Sequence, residues 1–144
     1  MKKVLLPLMV ATLGVAVGGG SAYAMSMILG PAPAQTREAP QEMAFVPAGK
    51  ILAPLVFPDG RLSGYVSFEV ALEVPADRSE EIAARLPLLL NAINMRAYRT
   101  PMTSGRDGML PNIAVFRKLV QESAVEAFGK GAVRRAAVTQ AVPA

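Results

Sequence analysis

Apolar and polar positions divide this chain of 144 residues into stretches of different period. Val4 to Leu29 is one uncharged, mainly apolar run with no alternation. About 20 such residues cross a bilayer core in helical form, so the run predicts a membrane span. Pro31 to Gln41 has no apolar period and reads as an extended, semi-stiff Pro/Ala linker. A period of two governs Leu62 to Val74: Leu62, Gly64, Val66, Phe68, Val70, Leu72 and Val74 fall on one face. Ser63, Tyr65, Ser67, Glu69, Ala71 and Glu73 fall on the other, which predicts a strand with one buried face.

Before that strand, Phe45-Val46-Pro47 and the run Ile51 to Phe57 predict another. Gly49 bounds the run, and Pro54 within it demotes it to an edge or bulged strand. Pro58-Asp59-Gly60-Arg61 supplies a turn between the two. After Pro75 the period changes to that of a helix, with Ile82, Leu86, Leu89, Leu90, Ile93 and Ala97 recurring. Asp77 and Glu80 have the spacing of a capping box, and Pro87 predicts a kink on the solvent side. A second helix is expected from about Pro111 or Asn112 to Phe128, with Ile113, Phe116, Leu119, Val120, Ala124, Ala127 and Phe128 inward. Gly129-Lys130-Gly131 stops it, and Ala132 to Val142 predicts a final strand with Ala136, Val138, Gln140 and Val142 on one face. The fold class is therefore α+β, a β-β-α-α-β domain whose small sheet is covered on one face by two helices.

Charge and composition bear on where this domain works. Lys2 and Lys3 precede the apolar run and no basic residue follows until Arg37, which places the N-terminus in the cytoplasm and the domain beyond the inner membrane. The division is a tail over 1–3, a span over 4–29, a linker over 30–44 and a periplasmic domain over 45–144. The alternative is a cleaved signal with its A-x-A site at Ala22-Tyr23-Ala24, which would leave a soluble periplasmic protein. The chain has no cysteine, which excludes disulfides and thiolate metal sites, and no histidine, the commonest metal ligand and general base. Its formal charge of +4 falls to +2 once Lys2 and Lys3 are set aside, too little to argue for a nucleic-acid partner.

Three places in the chain have residues that chemistry could use. Arg96, Tyr98, Arg99 and Arg106 lie in or beside the turn-rich stretch from Thr100 to Gly108 and could contact an anionic group or a partner. The plainer reading is a basic helix end that complements the helix dipole. Glu69 and Glu73 alternate on the wet face of a strand, where carboxylates are usually solubilising. Ser104 and Asp107 are the only loop candidates for catalysis and have no histidine to work with. The expectation is a protein that is not an enzyme and needs no cofactor or metal.

Several of these segments together resemble the FliL family of flagellar basal-body-associated membrane proteins. They are the span with Gly18-Gly19-Gly20 near its outer end, the Pro-rich linker, and the strand Tyr65-Val66-Ser67-Phe68-Glu69-Val70-Ala71-Leu72-Glu73-Val74. To these are added the helix from Ile82 to Ile93 with Leu86-Pro87 in its middle, and the closing Val133-Arg134-Arg135-Ala136-Ala137-Val138-Thr139. The three-residue tail and the Gly- and Pro-rich stretch from Thr100 to Leu110 depart from the family pattern. The resemblance implies a domain similar to the stomatin (SPFH-like) fold, homo-oligomeric assembly, and association with flagellar stator units in support of motility. It brings no catalytic residues. The competing expectation is an envelope-associated domain that binds an anionic group through Arg96, Arg99 and Arg106.

Overall fold

In a computed structural model of the chain, residues 39–144 are described. The expected span, the A-x-A site and residues 30–38 of the linker lie outside the described residues, and the end of the expected linker is already strand, since β1 begins at Met43. Among the described residues no helix is long and apolar enough to cross a membrane.

The elements run β1 (Met43–Val56), β2 (Leu62–Pro75), a 3-10 turn (Ala76–Arg78), α1 (Ser79–Ala84), α2 (Leu86–Ala97), β3 (Thr103–Ser104), β4 (Leu110–Pro111), α3 (Ile113–Phe128) and β5 (Arg135–Pro143). The main sheet is antiparallel with order β1-β2-β5, so the strand with the clearest alternation is the central one. Central strands need one face to meet the core along their whole length, and Val66, Phe68, Val70, Leu72 and Val74 are all buried. Leu62, expected on the same face, is exposed. Ser63 is an extra residue between the pairs Leu55/Gly64 and Val56/Leu62, and this bulge ends the alternation at Gly64.

β1 is an edge strand, as Pro54 requires, but it does not start at Gly49. It begins at Met43 and passes through Gly49, where Ala48 is an extra residue between Pro47/Ala71 and Gly49/Val70. Gly49 takes φ 81° there, a conformation for which glycine carries no side-chain penalty. The bulge also resolves a parity conflict. Val46 and Ile51 are an odd number of residues apart, yet both are buried on the core face. β5 has the same device: an irregularity opposite Glu69/Val70 makes Thr139 the extra residue. The expected face of Ala136, Val138, Gln140 and Val142 therefore holds only to Val138. Beyond the bulge Ala141 packs against the core, while Gln140 and Val142 are exposed.

The helices cover one face, α2 packed on β1 and α3 on β5. Phe68 of β2 stacks on Phe116 of α3, with ring centroids 3.7 Å apart and 12° between planes. Ile82, Leu89, Ile93, Leu119, Val120 and Ala124 close the layer. Asn112 caps α3, its Oδ1 accepting from Val115 N–H at 3.2 Å, whereas Ile113 is exposed rather than inward. The capping box does not form: neither Asp77 nor Glu80 accepts a capping bond, and Ser79 Oγ donates to Ala76 O at 2.8 Å instead. Pro87 does more than kink a helix. Arg85 leaves helical geometry (φ −101°, ψ 7°) and α2 starts afresh at Leu86, which puts Pro87 in a first turn where a missing N–H costs nothing. Pro87 is exposed, so the break faces water.

The stretch after α2 is more ordered than a turn-rich loop suggests. Met102 is fully buried, its N–H donates to Val56 O at 3.1 Å, and its carbonyl accepts from Asn112 N–H at 2.7 Å. Those bonds dock a small β3/β4 hairpin on the end of β1. Gly108, buried at φ 65°, lies under the Phe57 ring, and Ser63 Oγ donates to its carbonyl at 2.9 Å.

Candidate functional site

The four side chains singled out in the sequence do not form one site. Arg96, in the last turn of α2, reaches across to α3 while 40% of its side chain stays exposed. Its Nε and one terminal nitrogen donate to Glu126 Oε2 at 3.2 and 2.9 Å, and the other terminal nitrogen reaches Glu122 Oε2 at 3.5 Å. Glu122 also meets Lys118 at 3.9 Å, so α2 and α3 are joined along their outer edge by a chain of alternating charges. Both partners of Arg96 are about half exposed, which makes this a screened network of modest strength.

Arg99 lies one turn on and shares with Arg96 a shallow depression of about 410 Å3, lined also by Met95, Thr100 and Glu126. The Glu126 carboxylate in that lining opposes an anion, and the guanidinium nearest to it is already satisfied. Arg99 and Arg106 make no ion pair among the described residues. Arg106 sits at the exposed tip of the β3/β4 hairpin and does not line the depression. Tyr98 is exposed just beyond α2 and does not line the depression. Hydrogen bonding to its hydroxyl, with a smaller electrostatic contribution, pushes the Tyr65 phenol above its ordinary value.

Ser104 is half-buried in β3 opposite Leu110, and Asp107 Oδ1 accepts from Met109 N–H at 3.3 Å within its own turn. Neither has a base beside it in the described bonds. Glu73 is held against Arg135 at 3.1 Å on the outer face of the sheet. Glu69 stays exposed there, beside Lys50, Ser67, Gln140 and Val142 in a second depression of about 240 Å3. Among the described residues no three acidic side chains gather as a metal site would need.

Two polar side chains with structural tasks carry no sequence signal. Gln121 of α3 accepts Ala136 N–H at 3.0 Å and donates to Val133 O at 3.1 Å, tying the start of β5 to the helix. Arg85, in the break between α1 and α2, pairs with Glu81 at 3.2 Å and donates to Ala127 O at 2.9 Å, where α3 ends. Glu81 is held below its ordinary value, chiefly by its hydrogen bond from Arg78 and then by the nearby charges.

The described surface thus presents no assembled catalytic group. It presents instead an apolar and basic end, built from the β1–β2 turn, the β3/β4 hairpin and the last turn of α2. No protein-family model, no curated protein and no solved structure matches this chain.

Proposed function

We propose that this chain is a FliL-like, non-enzymatic protein of the bacterial inner membrane, anchored by residues 4–29 and presenting residues 45–144 in the periplasm to flagellar stator units. One observation carries this reading: the three segments that resemble the family are the parts around which the domain is built. Tyr65–Val74 lies in the central strand, Ile82–Ile93 spans the helix pair divided at Arg85 just before Leu86-Pro87, and Val133–Thr139 leads into the edge strand β5. A sheet backed by helices on one face, with β1 and β5 at its edges among the described residues, suits a module that packs against copies of itself and against a partner. The stomatin-like classification and homo-oligomeric assembly belong to the same proposal.

The competing envelope-ligand reading needs Arg96, Arg99 and Arg106 to converge on an anion. Arg96 is engaged by Glu126 and Glu122, and Arg106 does not share the depression with the other two. That arrangement favours partner support over anion capture.

The test is isolation of the tagged full chain from detergent-solubilised membranes of its own host, probed for the stator ion-channel subunits. Co-isolation of those subunits is expected. Recovery of the chain from the soluble fraction with no stator protein attached would remove the proposal.

A further inference from the structure

We propose that the end of the domain remote from Met43 is a protein-docking surface, and that its partner presents an apolar segment interrupted by acidic side chains. This deepens the reading above and rests on it only for the partner's identity. β1 runs 14 residues from Met43 to Val56, so its two ends are separated by about 45 Å at roughly 3.3 Å per residue. Described backbone reaches the domain at the Met43 end, beside Pro75.

The opposite end carries an uneven share of exposed apolar surface. Half of the large apolar side chains exposed among the described residues are there: Leu62, Tyr65, Tyr98, Met109, Leu110 and Ile113. Bonds already described bring them together from distant parts of the chain. Ser63 Oγ to Gly108 O sets Leu62 beside Met109. Asn112 N–H to Met102 O and Met102 N–H to Val56 O set Leu110 and Ile113 on the end of β1. Thr100 N–H to Ala97 O and Met102 N–H to Val56 O bring the end of α2, with Tyr98, to the same place. The hairpin is held firmly, since Gly108 is packed under Phe57 and Met102 is fully buried. Met109 is nevertheless 68% exposed, so a well-fixed hairpin holds an unbranched apolar side chain in water. Methionine, tyrosine and arginine together are the composition of interface cores.

Charge indicates the partner's chemistry. Arg99 and Arg106 flank these side chains and have no ion pair among the described residues, whereas Arg78, Arg85, Arg96 and Arg135 are each paired with a glutamate of this domain. Of the acids at this end, Asp59 is paired with Arg61 at 2.7 Å, while Asp107 accepts only Met109 N–H and keeps its charge, so the arginines exceed the carboxylates by one. Two cations without local partners beside an apolar patch are complemented by carboxylates spaced among apolar residues.

The experiment places a photoreactive side chain at Met109 of the full-length protein in its own host, with the same group at Leu52 on the outer sheet face as the control. Leu52 is comparably exposed, at 56%. The expected result is an adduct from position 109 that maps to an apolar segment in which acidic residues outnumber basic ones. Its yield should fall at least several-fold when Arg99→Glu and Arg106→Glu are combined. Both arginines are exposed or unpaired, so the double variant should fold, which its melting curve checks. A mapped segment from a protein outside the motor would support this surface while overturning the stator reading. The inference is overturned by adducts with lipid alone, by equal yields from positions 52 and 109, or by a yield that ignores the charge reversal.

Discussion

The ring of Phe57 rests on the backbone of Gly108, at a place where a Cβ would overlap the ring. Gly108 also holds φ at 65°, so both space and backbone conformation require glycine there. Gly108→Ala should destabilise the domain by about 2 kcal/mol or more, measured by urea unfolding. Adding Phe57→Ala should return part of that loss, because only the steric share is relieved. Additive effects of the two substitutions would show that ring and backbone are not in contact.

Ser123 is fully buried in α3 and its hydroxyl has no hydrogen-bond partner among the described residues. An unpaired buried hydroxyl costs about 1–3 kcal/mol relative to water. Ser123→Ala should therefore be neutral or stabilise by up to about 1 kcal/mol, and Ser123→Val should overpack the α3–sheet contact. A clear loss of melting temperature in Ser123→Ala would mean that the hydroxyl has a partner after all.

Arg96 and Glu126 join two helices across 30 residues of chain, but about half of each side chain remains in water. A double-mutant cycle with Arg96→Ala and Glu126→Ala should give a coupling of about 0.2–1 kcal/mol that shrinks as salt is raised. Removing Arg96 alone should leave Glu126 in the depression without its partner. A coupling of several kcal/mol, unaffected by salt, would contradict the exposed geometry.

Tyr65 is held above its ordinary value of 10.0, first by hydrogen bonding to Tyr98 and then by electrostatic repulsion from it. The sign follows from the direction. A folded value above the unfolded one stabilises the fold below pH 10.0, and the contribution is lost as pH rises through the folded value. Phenolate absorbance, taken as the difference from a Tyr65→Phe reference, should show Tyr65 ionising later than a free tyrosine. Tyr98→Phe should bring it back toward the ordinary value. An unchanged titration in Tyr98→Phe would place the two rings apart.

What could be read in advance depended on how local the cause was. β2 declared itself because a central strand repeats one simple instruction, and the start of α3 was legible to within a residue, at Pro111 or Asn112, because the helical period begins there. Ala48 and Thr139 could not be found that way. A bulge is set by what the neighbouring strand must bury, and Val46 with Ile51 hints at one only when a shared face is already known. Met102 looked like a turn residue among Thr, Pro, Ser and Gly, yet the end of β1 buries it. The arginines were visible as residue types, but their pairing was not. Arg96 meets Glu126 through the packing of α2 on α3, and Arg106 is carried away from it on the β3/β4 hairpin.

The claim that this chain supports flagellar stators is tested most directly by the torque of single motors in its own host. Bead-tracked rotation under high load should be weaker in a deletion strain and restored by the full-length chain. Equal torque at every load, with and without the chain, would contradict the account.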